Sequence, residues 1–169
     1  VDEATFTQDY LHQLEETIQL EGPGTIAAIL VETVTGTNGV IIPPDGYLTG
    51  VRELCDRHGI QLICDEVMSG FGRTGAWFAV DHWGVKPDLM TMAKGLTSAY
   101  APLGAVAMTQ AVASTFDHQV YQGGLTFNGH PISMAAAIAN IEVMRDLRLP
   151  ERSKEIGKSL ARRLREVGE

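Results

Sequence analysis

In FTQDYLHQLEETIQL (6–20) the apolar residues fall at Phe6, Tyr10, Leu11, Leu14 and Ile18, the three-and-four spacing of an amphipathic helix. Gly22-Pro23-Gly24 ends it. TIAAILVE (25–32) is then a short apolar run between turn residues, which predicts a fully buried parallel strand. A glycine-rich link, TGTNGVIIPPDG (35–46), leads into a helix over Tyr47–His58 closed by Gly59, and IQLICDE (60–66) predicts a second buried strand. LMTMA (89–93) and LGAVAMT (103–109) predict a third and a fourth. Only about eight residues, Gly95 to Pro102, separate the last two, whereas a helical crossover needs about a dozen, so the fourth strand is expected antiparallel to the third. PISMAAAIANIEVMRDL (131–147) predicts an Ala-rich helix opened by Pro131. ERSKEIGKSLARRLREVG (151–168) predicts a charged amphipathic helix behind Pro150. Strand and helix alternate, the pattern of a mostly parallel α/β sheet.

Composition narrows the partners. With 169 residues and a formal charge of −8, the chain can build a sizeable core but offers no basic face to nucleic acid or anionic lipid, which favours a small-molecule partner. Cys55 and Cys64 lack metal-ligand spacing and read as reduced, buried thiols, and the apolar runs are too short to span a bilayer. Cytoplasmic localisation is therefore expected. The chain opens on Val1 and ends at Glu169 inside a helical pattern, which reads as a piece of something longer.

Ligands of open α/β sheets bind outside the carboxyl ends of the strands, and Glu32, Asp65 and Lys94 stand at such ends. Each has an ordinary explanation: an Asp after a strand caps a turn, and a strand-end lysine is usually solvated. The apolar-apolar-Asp-Glu pattern also occurs in P-loop ATPases, but those require a G-x-x-x-x-G-K-[ST] cradle that these residues lack. Lys94, however, is flanked by small and apolar residues in TMAKGLTSAYAPLG, and a desolvated lysine becomes a nucleophile toward a carbonyl. An amine and a carboxylate on neighbouring strand ends suit pyridoxal 5'-phosphate, whose ring nitrogen is held protonated by an acid. On that reading Asp65 is buried because a cationic ring meets it.

At these residues the sequence resembles the class III (subgroup II, ω-type) pyridoxal-phosphate-dependent aminotransferases of fold type I. The resemblance runs through AAILVETVTGTNGVIIPPDGY, LICDEVMSGFGRTGAWFAVDHWGVKPDLMTMAKGL, PLGAVAMT and GLTFNGHPISMAAA, in the family's order and spacing. It implies an α/β large domain with a mostly parallel sheet, one antiparallel strand and helices on both faces. Residues 1–149 would be the central part of that domain, and 150–169 the start of the helix leading to a C-terminal small domain. Asp65 matches the acid on the pyridine nitrogen, Val67 the apolar residue on the ring face, and Lys94 the Schiff-base lysine. Thr126 matches the threonine that reaches the cofactor phosphate of the neighbouring subunit, which implies a homodimer with shared active sites. Glu32 matches a glutamate beneath the site, although Thr33 replaces the usual proline. Met68 stands where many relatives carry a glutamine, and a thioether cannot donate that residue's hydrogen bond.

The implied activity moves an amino group from an amine or ω-amino acid to a keto acid such as pyruvate. The alternatives are a mutase or decarboxylase of the same fold, or a catalytically silent fragment, because the family's phosphate cup, ring-stacking aromatic and carboxylate-binding arginine match nothing in these 169 residues. Arg73 is open to a structural or an anion-binding role. Trp77, Phe78 and Trp83 read as core or interface aromatics.

Overall fold

The computed structural model describes residues 2–168; Val1 and Glu169, the outer ends of the two predicted segments, lie outside the described residues. Helix α1 spans Glu3–Glu21 and starts earlier than its apolar spacing suggests, because Asp2 caps it: Oδ1 accepts from the Thr5 amide at 2.9 Å, satisfying one of the free N–H groups of a first turn. Pro23–Thr25 forms a single 3₁₀ turn that takes the first residue of the predicted strand, so β1 is Ala28–Glu32. Helix α2 spans Tyr47–His58 and ends as predicted at Gly59, at φ 68°, whose N–H donates to the Cys55 carbonyl. Glycine tolerates this left-handed cap where a Cβ would be strained.

Strands β2 (Gln61–Asp65), β3 (Leu89–Met92) and β4 (Ala105–Met108) complete a four-stranded sheet in the order β1-β2-β3-β4. β1, β2 and β3 are parallel; β4 is antiparallel to β3, pairing Leu89 with Met108 and Thr91 with Val106. The short link between β3 and β4 leaves no room for a crossover.

Leu62 and Cys64 of β2 are buried under α2, where Leu48, Val51, Leu54 and Cys55 meet Ile18 of α1 in one cluster. Alternation along the strands puts Leu30, Ile63 and Val106 on the other face. There Leu30 is 61% and Val106 55% exposed. The expectation of a fully buried first strand is not met within these residues: here β1 stands at the end of the strand order with one covered face. A short helix α3 (Gln110–Ala113) and a 3₁₀ turn (Ser114–Asp117), neither predicted, follow β4. Helix α4 spans Pro131–Asp146 and α5 Leu149–Gly168. Pro150 lies inside the first turn of α5, a position where its missing N–H costs nothing. That turn rests on the glycine loop after β2: a Cβ at Gly72 would stand 3.3 Å from the Pro150 Cα. Among the described residues no helix is long and apolar enough to cross a membrane.

Candidate active site

The parallel register brings the three strand-end residues to one rim. Glu32 pairs with Asp65 and Asp65 with Thr91, three residues before Lys94, and neighbouring strands lie about 5 Å apart. Asp65 is half-buried. Its Oδ1 accepts from the Val67 amide at 2.8 Å, the side-chain turn that Asp favours after a strand. Oδ2 has no hydrogen-bond partner among the described residues. Lys94 opens a 3₁₀ turn, Lys94–Leu96, with φ at 40°. Its Nζ donates to the Met68 sulfur. The lysine is exposed, so the expected desolvation by its small neighbours is not what these residues produce.

The buried acid is Glu66, not Asp65. Glu66 is 0% exposed and accepts three hydrogen bonds: from Ser69 Oγ at 2.5 Å, the Ala79 amide at 3.0 Å and the Val80 amide at 2.8 Å. Its carboxylate thus ties the turn after β2 to the segment thirteen residues on, and these donors offset its desolvation. The signal was present in the alternation. Leu62, Cys64 and Glu66 share one parity and one buried side, whereas Asp65 shares the parity of Ile63 and faces the other way.

Between these elements opens a cleft of about 1070 Å³, with Gly36, Val67, Met68 and Phe71 on its walls beside Lys94 and Asn140. Met68 packs on the backbone of the link after β1, where a Cβ at Gly36 would stand 2.7 Å from Met68 Cγ. Glu32 is exposed and turns back on its own loop, its Oε2 accepting from the Gly36 amide at 2.8 Å. Thr126 is exposed in the segment before α4 and is not among the residues lining this cleft. Val67 and Lys94 therefore share this cleft; Asp65 and Glu32 stand on the same strand rim but, like Thr126, are not among the residues lining it. Arg73 lines the outer cleft and makes no hydrogen bond to backbone carbonyls among the described residues. Burial pushes the Cys64 thiol up to about 11 and raises Cys55 as well, which removes both from nucleophilic chemistry near neutral pH. No cluster of metal-ligating side chains occurs among the described residues.

A carboxylate, an apolar residue and a primary amine thus stand along one strand rim. The family model for class-III aminotransferases matches residues 2–169; the chain belongs to that family. It is 50% identical over 141 residues to the acetylornithine aminotransferase of Methanothermobacter thermautotrophicus, a match covering 83% of this chain and 35% of that protein. It is 42% identical over 154 residues to the taurine–pyruvate aminotransferase of Bilophila wadsworthia, covering 88% and 34% respectively. The taurine:2-oxoglutarate aminotransferase of Bifidobacterium kashiwanohense, solved with pyridoxal phosphate and glutamate, superposes with a TM-score of 0.96 at 48% identity, covering 98% of this chain and 37% of that one. The chain spans about a third of the length of the curated relatives it matches.

Proposed function

We propose that this chain carries the central part of a pyridoxal-phosphate-dependent aminotransferase that moves an amino group from an amine or ω-amino acid to a keto acid such as pyruvate. The observation that carries the reading is Lys94 at the end of β3, its Nζ on Met68 in a cleft that Val67 also lines, with Asp65 at the adjacent strand end. The donor set fits the cofactor. Asp65 keeps Oδ2 free for a protonated ring nitrogen, Val67 offers an apolar surface to a ring face, and glycines at 36 and 95 let Met68 and Phe71 pack closely into the walls. When bound, the cofactor supplies an electron sink for the carbon that bears the amino group.

Nζ of Lys94 would hold the cofactor's aldehyde carbon and, when free, would serve as the base that takes the proton from the amine-bearing carbon. Asp65, at the adjacent strand end, holds the ring nitrogen's proton by ion pairing. Val67 fixes the ring plane, Glu32 supports the rim through the Gly36 amide, and Thr126 serves the phosphate of a neighbouring subunit in a homodimer. Residues 1–149 belong to the cofactor domain, and 150–169 begin the helix toward a small domain. Two buried free thiols favour a cytoplasmic setting. The test is a coupled assay of the full-length protein with pyruvate and a panel of taurine, β-alanine, 4-aminobutyrate, diamines and arylalkyl amines. Lys94→Ala is expected to abolish turnover with every donor, and Asp65→Ala to lower it about a hundredfold or more. Wild-type turnover in Lys94→Ala would overturn the assignment.

A further inference from the structure

Asn140 lies on α4 along the stripe of Ser133, Ala137 and Met144, all buried, and its side chain is spent on the turn that carries Lys94. Nδ2 donates to the carbonyl oxygens of Gly95 at 2.8 Å and Leu96 at 3.1 Å, and Oδ1 accepts from Ser98 Oγ at 2.8 Å. That turn is conformationally loaded: Lys94, Ser98 and Ala99 hold φ values of 40°, 48° and 65°, a left-handed region disfavoured for any residue with a Cβ. From the opposite side Phe71 closes on the turn so tightly that a Cβ at Gly95 would stand 2.7 Å from the Phe71 Cβ. Strained backbone persists only where its surroundings over-determine it. Here one wall is Phe71 and the other is the Asn140 amide.

We propose that Asn140 is a positioning residue for Lys94: by holding the Gly95 and Leu96 carbonyls it keeps the strained turn in place and so sets where Nζ emerges into the cleft. The inference rests on Lys94 being the cofactor anchor. Three of the four polar contacts of Asn140 go to the turn, the fourth being the weak one from Nδ2 to the Met144 sulfur at 3.6 Å, so its action on the chemistry runs through the lysine. Loss of the two donated bonds lets the turn relax toward ordinary φ and withdraws Nζ from its approach line, without emptying a core position.

The test uses full-length apo-protein mixed with pyridoxal phosphate, quenched at intervals with borohydride and mapped for label on the peptide containing Lys94. Alongside it run kcat and KM for an amine donor and the melting midpoint of the apo-protein. In Asn140→Ala and the isosteric Asn140→Asp, labelling and kcat are expected to fall about ten- to hundredfold, with KM within about threefold and the midpoint within about 5 °C. Ser98→Ala keeps both donated bonds and is expected to slow labelling only about threefold; with Asn140→Asp it carries the test if Asn140→Ala does not fold. Labelling at the wild-type rate in the Asn140 variants, or slowing that merely follows their unfolded fraction, overturns the positioning role and leaves the anchor intact. Wild-type protein that takes no label on Lys94 overturns the anchor itself, and the inference with it.

Discussion

Removing the carboxylate of Glu66 has a consequence that can be worked through bond by bond. The group is 0% exposed and is the acceptor for Ser69 Oγ and for the Ala79 and Val80 amides. In Glu66→Ala the hydroxyl can rotate, but the two amides are left without their acceptor, at about 1–3 kcal/mol each. With the space vacated by the side chain, the local cost comes to about 3–6 kcal/mol. Each 1.4 kcal/mol is about a factor of ten, so amide hydrogen exchange at 79 and 80 should accelerate by about two to four powers of ten. Ser69→Ala keeps both amide bonds and should change exchange by less than about tenfold. The assay is hydrogen–deuterium exchange of the peptide spanning 76–83 in the full-length protein. Exchange in Glu66→Ala within about threefold of wild type would refute the idea that this carboxylate pins the loop behind Asp65 and Val67.

Gly95→Ala forces a methyl to 2.7 Å from the Phe71 Cβ and should destabilise the protein by about 1–3 kcal/mol, seen as an earlier melting midpoint; an unchanged midpoint would show that the turn is looser than described. Cys64, pushed up to about 11 by burial, and Cys55 should both resist a thiol reagent at pH 8 until denaturant is added, and rapid native modification would contradict their burial. Glu15 is held below the usual carboxylate range first by its hydrogen bond from Arg57 on α2. Because its folded value is depressed, the α1–α2 tie is complete above the ordinary value of about 4.3 and is lost as pH falls below it. Arg57→Ala should remove that part of the acid sensitivity in pH-dependent unfolding, and an identical acid profile would count against the pairing.

Adjacent strand ends were legible because short apolar runs between turn residues have few other solutions. The antiparallel β4 followed from chain length alone, since eight residues from Gly95 to Pro102 cannot carry a crossover. What escaped was the set of polar residues acting within the fold. Asp65 and Glu66 are equivalent as letters, and only the parity shared with Leu62 and Cys64 tells which one turns inward. Asn140 carried a comparable signal, standing three residues after Ala137 and four before Met144, on the buried stripe of α4. A polar residue on such a stripe must satisfy its amide against a neighbour, but the sequence pattern does not say that the neighbour is the Lys94 turn. The positive φ of Lys94 was likewise hidden, because lysine has no preference that announces it. The continuous apolar run of β1 describes both faces of the strand, and within these residues α1 and α2 cover one of them.

The most direct measurement is borohydride reduction of the full-length protein with pyridoxal phosphate, followed by peptide mapping. The account predicts one labelled site, Lys94, lost in Lys94→Ala while the variant stays folded. Label scattered over surface lysines such as Lys86 and Lys158, or absent from folded protein, would contradict the aminotransferase reading and return Asp65 and Lys94 to ordinary strand-end roles.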